Sequence, residues 1–285
     1  MATNDLTIPA LDGRPLQATL FAPEAPRQIV IVGSATAVPR GFYRAIATYL
    51  AQRGAAVLTY DYRGSGEPPE VLKTSDARMR DWGQLDFPGA IAWAKNQYPA
   101  LPLHVLGHSH GGHALLLAHN NDLIDRAVTV ATQLGYWRLC APGERYRVWL
   151  LLNVFAPAVM ALSGYVPGSR LGLGEDLAKG VMREWRQWCN SPNYFFDDPT
   201  MAPALECART LRAPTLVTGV ADDLWGTVGA VDAYASHVPN VQRLTIEPGA
   251  YGLGNVGHFG FFRAANGSAL WPLVTQYFGL EEKAA

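Results

Sequence analysis

The sequence has no excess of charge of either sign: 23 Lys and Arg stand against 24 Asp and Glu, a formal net charge of -1 at pH 7. No block of basic residues occurs either, so the electrostatic footprint of a nucleic-acid or anionic-lipid binder is missing. Cysteine is equally scarce. Cys140, Cys189 and Cys207 are too few for a disulfide scaffold, show no C-x-x-C spacing and leave one unpaired in any pairing. Such usage suits a reducing compartment. Residues 1–10 lack the basic start and apolar stretch of a signal peptide, so a cytoplasmic location is expected. The most apolar run, residues 148–162, falls short of the about 20 residues a spanning helix needs and contains Asn153 and Pro157. It is read as a buried or substrate-facing helix pair, without stable membrane insertion. Repeats and low-complexity tracts are absent too.

What is present is apolar: 49% of the 285 residues are hydrophobic and 16% charged, which excludes disorder and implies a sizeable core in one large or two smaller domains. Strand and helix patterns alternate along the chain. Strands are expected at 16–21, 28–32 (QIVIV), 55–60 (AAVLTY), 103–106, 127–131 (AVTVA), 215–220 (TLVTGV) and 243–246. Helices are expected at 41–53, 81–98, 110–120, 227–237 and 268–278. Residues 133–203 differ, with several Trp and Tyr, glycine punctuation and no convincing strand, and read as a helical insertion. Repeated βα units imply a mostly parallel sheet with helices on both faces, and such folds bind ligands at the carboxyl ends of the strands.

One pentapeptide carries chemistry. Gly107-His108-Ser109-His110-Gly111, followed by Gly112, matches G-x-S-x-G. It sits between the apolar strand LHVL and the helical run HALLLAH, the strand, turn, helix context of a nucleophile elbow. Glycines let the turn tighten, and the helix N-terminus favours developing negative charge. A serine hydroxyl needs a base and an orienting acid. Asp222, directly after the strand TLVTGV, and His258, in a glycine-rich loop after the strand near Leu244, follow Ser109 in a workable order. Asp223 is the alternative acid.

The sequence resembles the α/β-hydrolase superfamily over nearly its whole length. The resemblance rests on GHSHGG, on DYRGSG at 61–66, on GVADD at 219–223 and on GHFGFF at 257–262. It implies an α/β-hydrolase fold with a core of 1–132 and 204–285 and a helical cap, 133–203, inserted after the sixth strand. It also implies Ser109 as nucleophile, His258 as general base and then acid, and Asp222 as the orienting carboxylate, the G-x-x-D spacing favouring Asp222 over Asp223. Most relatives open the loop after the third strand with His-Gly, whereas this chain reads Gly33-Ser34-Ala35-Thr36-Ala37. The oxyanion-hole amides are therefore expected from His110 and from Thr36, with Ala35 an alternative.

The cluster His108, His110 and His113 is no metal site on ligand count, because the elbow points the first two apart and no Asp or Cys completes it. No cofactor is expected. Asp61 and Arg63 are expected to hold a loop by a charge-assisted hydrogen bond. Tyr136, Trp137 and Trp225, beside strand ends, are expected to line the pocket. The expected activity is hydrolysis of a small-molecule carboxylic ester through an acyl-enzyme. Thioesterase, amidase or peptidase and acyltransferase chemistry share the machinery, and a non-catalytic ligand-binding role on the same fold is the alternative.

Overall fold

The computed structural model describes residues 1–280. Eight strands form one sheet in the order β1-β2-β4-β3-β5-β6-β9-β10. These are β1 (Ala2–Pro9), β2 (Pro15–Ala22), β3 (Gln28–Gly33), β4 (Ala55–Tyr60), β5 (Leu103–His108), β6 (Arg126–Val130), β9 (Thr215–Val220) and β10 (Val241–Ile246). The pairs β1/β2 and β2/β4 are antiparallel, and the rest are parallel. Every residue of β3, β4 and β5 is buried. Continuous apolar runs suit strands covered on both faces. Along β3, Ile29 and Ile31 enter one core while Val30 and Val32 enter the other, as the period of two requires.

The expected strands are all found, and β1 is added to them. Its sequence, ATNDLTIP, has too few apolar residues to alternate visibly because this edge strand is mostly exposed. The expected helix at 81–98 is divided: a short turn at Met79–Asp81, a π turn at Trp82–Asp86, then an α-helix at Phe87–Gln97. Pro88 lacks an N–H, and the helical bonding is reset just before it. The final helix is likewise interrupted, at Pro272.

Three further helices set the frame: α1 (Arg44–Gln52) and α2 (Phe87–Gln97) cover the sheet, and α3 (His110–Leu117) follows the elbow. Between β6 and β9 the chain forms α4 (Arg145–Ser163), then β7 (Tyr165–Val166) paired antiparallel with β8 (Leu177–Ala178), then α5 (Lys179–Cys189). The small β7/β8 pair corrects the expectation of no strand there. Two residues each leave no periodicity to read. The buried carboxylate of Glu184 on α5 accepts from the Arg80 backbone N–H at 2.7 Å, tying this segment to the core.

The apolar run at 148–162 is not a helix pair. It lies within α4, one helix whose π turn at Leu151–Phe155 absorbs Pro157, placed at the second position of the following α-helical part. By length and composition α4 is long and apolar enough to cross a membrane, and little of it is buried. The expectation of burial is thus corrected for most of it, while Val148, Leu151 and Leu152 face the cavity described next.

Candidate active site

β5 delivers Ser109 to a turn so tight that its backbone takes φ +50° and ψ -110°. A non-glycine residue there is strained by about 1–3 kcal/mol and persists only where its surroundings hold it. Three bonds do so: Ser109 N–H donates to the Val130 carbonyl at 2.9 Å, Gly112 N–H to the Ser109 carbonyl at 3.1 Å, and Thr132 Oγ1 to that same carbonyl at 2.9 Å. The glycines are required by close approach. A Cβ on Gly111 would lie 2.2 Å from the Gly33 carbonyl oxygen, and one on Gly112 would lie 2.3 Å from Thr132 Oγ1. Gly111→Ala is therefore expected to cost about 3 kcal/mol or more in urea unfolding, the severe end of overpacking because the obstacle is backbone.

His258 Nδ1 lies 2.6 Å from Asp223 Oδ2. Asp223 is 2% exposed. Burial alone would raise its pKa, but the bond to His258 and the amides of Gly226 and Trp225 outweigh that and hold it below the usual carboxylate value. An ionised carboxylate only accepts, so Nδ1 carries the proton and Nε2 is left as the lone pair.

Asp222 is elsewhere. Its carboxylate accepts from Asn255 Nδ2 at 2.7 Å, Val256 N–H at 2.9 Å and Gly257 N–H at 2.7 Å. The structure therefore corrects the expected histidine partner from Asp222 to Asp223. The physical reason is that Asp222 closes the loop preceding His258 while the next residue turns inward. Asp223 also accepts from Trp225 N–H at 2.8 Å and Gly226 N–H at 2.9 Å, closing an Asx turn.

A buried chain of hydrogen bonds joins the loop after β3 to the His258 loop. Ala35 N–H donates to Tyr43 Oη at 2.8 Å, Tyr43 Oη lies 2.9 Å from His108 Nδ1, and His108 Nε2 lies 2.9 Å from the His258 carbonyl. The carbonyl can only accept, so Nε2 of His108 carries its proton and Nδ1 accepts from the Tyr43 hydroxyl. Burial, with His258 nearby, pushes the His108 pKa down to about 3 despite that carbonyl. Neither Tyr43 nor the role of His108 was foreseen from sequence, since nothing local pairs residues so far apart. Tyr43→Phe is expected to leave the Ala35 N–H and His108 Nδ1 unpartnered and to cost about 1–3 kcal/mol. Urea unfolding, with kcat and KM measured separately, checks this; kcat should fall more than KM rises.

The same bond distinguishes the two loop amides by their partners. Ala35 N–H is committed to Tyr43, whereas the Thr36 N–H has no acceptor among the described residues. His110 N–H, first in α3, has no carbonyl one turn behind it. Thr36, Ser109, His110 and His258 all line one cavity with about 770 Å³ of empty volume, part of it open to solvent. Tyr136 and Trp225 line it too. Trp137 does not: it packs against Tyr136, Tyr146 and Trp149 instead, at centroid distances of 6.2–6.5 Å. Its neighbour Tyr136 takes the cavity position. Cys140, Trp185, Cys189 and Tyr194 complete much of the wall from the inserted segment, and were not singled out because they lie beyond the motifs. Asp61 pairs with Arg40, and Arg63 is held by Asp12 and by buried Asp86, so both serve loop anchoring but not with each other. Among the described residues no group of His, Cys, Asp and Glu could hold a metal ion.

The family described as serine aminopeptidase, S33, matches residues 24–183, more than half of the chain and including the elbow. The chain belongs to this family of α/β hydrolases. No curated protein matches it. Among solved structures, the α/β hydrolase GrgF of Penicillium sp. sh18 is similar at 18% identity and TM-score 0.62, covering 98% of this chain and 100% of that one. An esterase of Pyrococcus furiosus is similar at 17% identity and TM-score 0.61, covering 98% and 92%. A dienelactone hydrolase of Anabaena variabilis ATCC 29413 is similar at 16% identity and TM-score 0.58, covering 99% of each. Identities this low carry the fold alone.

Proposed function

We propose that this hydrolase cleaves neutral carboxylic esters by a Ser109, His258, Asp223 triad. Ser109 Oγ attacks the ester carbonyl as His258 Nε2 takes its proton. The Thr36 and His110 amides hold the oxyanion, and Asp223 keeps the imidazole in the required tautomer and supports its charge. The protonated His258 then hands its proton to the leaving alcohol. Water repeats the sequence on the acyl-enzyme, with His258 again as base, and releases the acid. No cofactor enters. Residues 133–203 act as a cap over the cavity in this reading, and the cytoplasmic location stays part of it.

The observation that carries ester over aminopeptidase chemistry is the composition of the cavity wall. Among the described residues lining it there is no Asp or Glu; Val148, Leu151, Leu152, Trp185, Trp225 and Phe259 dominate. An aminopeptidase must pair a buried substrate ammonium with a carboxylate, since an unpaired charge in such surroundings is strongly disfavoured. A neutral acyl group needs no such partner. The test is turnover of p-nitrophenyl acyl esters against aminoacyl p-nitroanilides, with Ser109→Ala as control. Ester turnover that Ser109→Ala abolishes is expected; preference for the anilides would overturn the ester reading.

A further inference from the structure

Two opposite rows of α4 are apolar. Val148, Leu152, Ala156 and Met160, spaced four apart, turn inward, and the last three are at most 7% exposed. The other row, Tyr146, Leu150, Val154, Ala158 and Leu162, faces solvent, with Leu150 52%, Val154 53% and Leu162 90% exposed. No charged residue occurs between Val148 and Leu162. A surface helix ordinarily turns polar and charged side chains to water, and a contiguous apolar face left outside marks a contact surface. Because its inner row is packed on the protein, α4 lies along the molecular surface and offers only its outer side. At the N-terminal end the apolar surface runs on to the cavity. Ala141 N–H donates to the Leu224 carbonyl at 2.9 Å and Trp225 Nε1 to Glu144 Oε1 at 3.0 Å. Leu224 and Trp225 are 55% and 38% exposed, and Trp225 lines the cavity.

Charge identifies what covers this face. Residues 136–174 hold four arginines, Arg138, Arg145, Arg147 and Arg170, and a single acid, Glu144, in a chain whose formal net charge is -1. The near-neutral balance of the whole chain conceals this local excess. Glu144 is engaged by Arg147 and Trp225, and its side chain is 14% exposed against 78% for Arg147. Arg138 is exposed as well, so the outward field of the segment is positive. Arginines and the aromatic rings of Tyr146 and Trp149 at one end of an apolar face are what a helix lying in the headgroup layer of an anionic bilayer presents. A second copy of the chain fits less well. A helix of 19 residues, about 28 Å long and about 10 Å wide, offers about 300 Å², well under the about 800 Å² per partner of a stable interface. A twofold contact would also set the same positive segments against each other.

We propose that α4 docks on the surface of an anionic lipid bilayer, its outer row at the boundary of headgroups and acyl chains and Arg138 and Arg147 at the phosphates. The docking goes beyond the ester reading and does not depend on it, because binding is measured without turnover. The purified protein is sedimented with vesicles of phosphatidylcholine and phosphatidylglycerol, and with vesicles of phosphatidylcholine alone. Binding to the mixed vesicles should be tighter by about twentyfold and should weaken as salt is raised. Leu150→Gln with Val154→Gln should weaken it by about thirtyfold, the loss of two partly inserted aliphatic chains. Arg138→Gln with Arg147→Gln should bring the mixed vesicles close to phosphatidylcholine alone. All four side chains are exposed, so urea midpoints should match the wild type and show each variant folded. Wild type left in the supernatant with both vesicles, equal binding to the two, or binding that neither pair of substitutions moves overturns the proposal. So does a dimer in sedimentation equilibrium that Leu150→Gln with Val154→Gln dissociates, which would give the face to a second copy.

Discussion

Asp223→Asn should lower kcat toward p-nitrophenyl esters by about 10³- to 10⁴-fold, whereas Asp222→Asn should lower it by no more than about tenfold. The first figure is what loss of the carboxylate that fixes a catalytic imidazole costs elsewhere. Here the carboxylate accepts from His258 Nδ1 at 2.6 Å, so an amide in its place could present N–H to Nδ1 and force the proton onto Nε2, where the base is needed. Asp223 also keeps the Trp225 and Gly226 amides satisfied, and Asn retains one acceptor for them. Asp222 touches no reacting group. Its three donors are Asn255 Nδ2, Val256 N–H and Gly257 N–H, so its substitution loosens the loop before His258 and costs about 1–2 kcal/mol of stability. Kinetics and urea unfolding on the two variants should separate them: one loses chemistry with a small loss of stability, the other the reverse. If Asp222→Asn were the inactive variant, Asp222 would be the orienting acid in solution.

Stability should fall steeply below neutral pH, by about 4 kcal/mol per pH unit near pH 5. Four histidines are buried in neutral form. Burial pushes His104 and His113 down to about 4, His108 to about 3, and His110 well below its ordinary value. In the unfolded chain each titrates near the ordinary histidine value of 6.5. Between about pH 6.5 and 4 the unfolded state therefore binds more protons than the folded one, so stability rises with pH through that window and is complete above it. Each histidine contributes about 1.4 kcal/mol per pH unit there, and buried Asp86, raised to about 7 by burial, holds a proton in the folded state alone and opposes them by a like amount, which leaves the stated slope. Urea unfolding at pH 7, 6 and 5 measures it. His104 stacks on Phe278 at 4.9 Å, away from the cavity, so His104→Phe should remove about a third of the slope. A stability flat from pH 7 to 5 would mean that these rings are charged or solvated in the folded protein.

Much of the fold was legible because buried parallel strands are written as short β-branched runs, and QIVIV, AAVLTY and AVTVA occupy β3, β4 and β6. The edge strand β1 was not, since a strand with little to bury needs no apolar alternation. Nor was the continuity of α4, where a π turn accommodates a proline that ordinarily ends a helix. At the site, the elbow was readable because its glycines answer a local need: Gly111 passes too near Gly33 to carry a side chain. The choice between Asp222 and Asp223 was not, because a strand end fixes which residues leave the sheet but not which way each turns. Three amides of the 255–257 loop decide that, and they come from 33 to 35 positions further on. The Tyr43 to His108 bond, spanning 65 positions, is long-range in the same sense.

The most direct test of the Ser109, His258, Asp223 account is intact-mass and peptide mass spectrometry of the wild-type protein after reaction with a fluorophosphonate. A single adduct, with fluoride displaced and phosphorus bonded to Ser109 Oγ, is expected, forming far more slowly in Asp223→Asn and not at all in Ser109→Ala. An adduct on another residue, or none at all in folded wild type, would contradict the account.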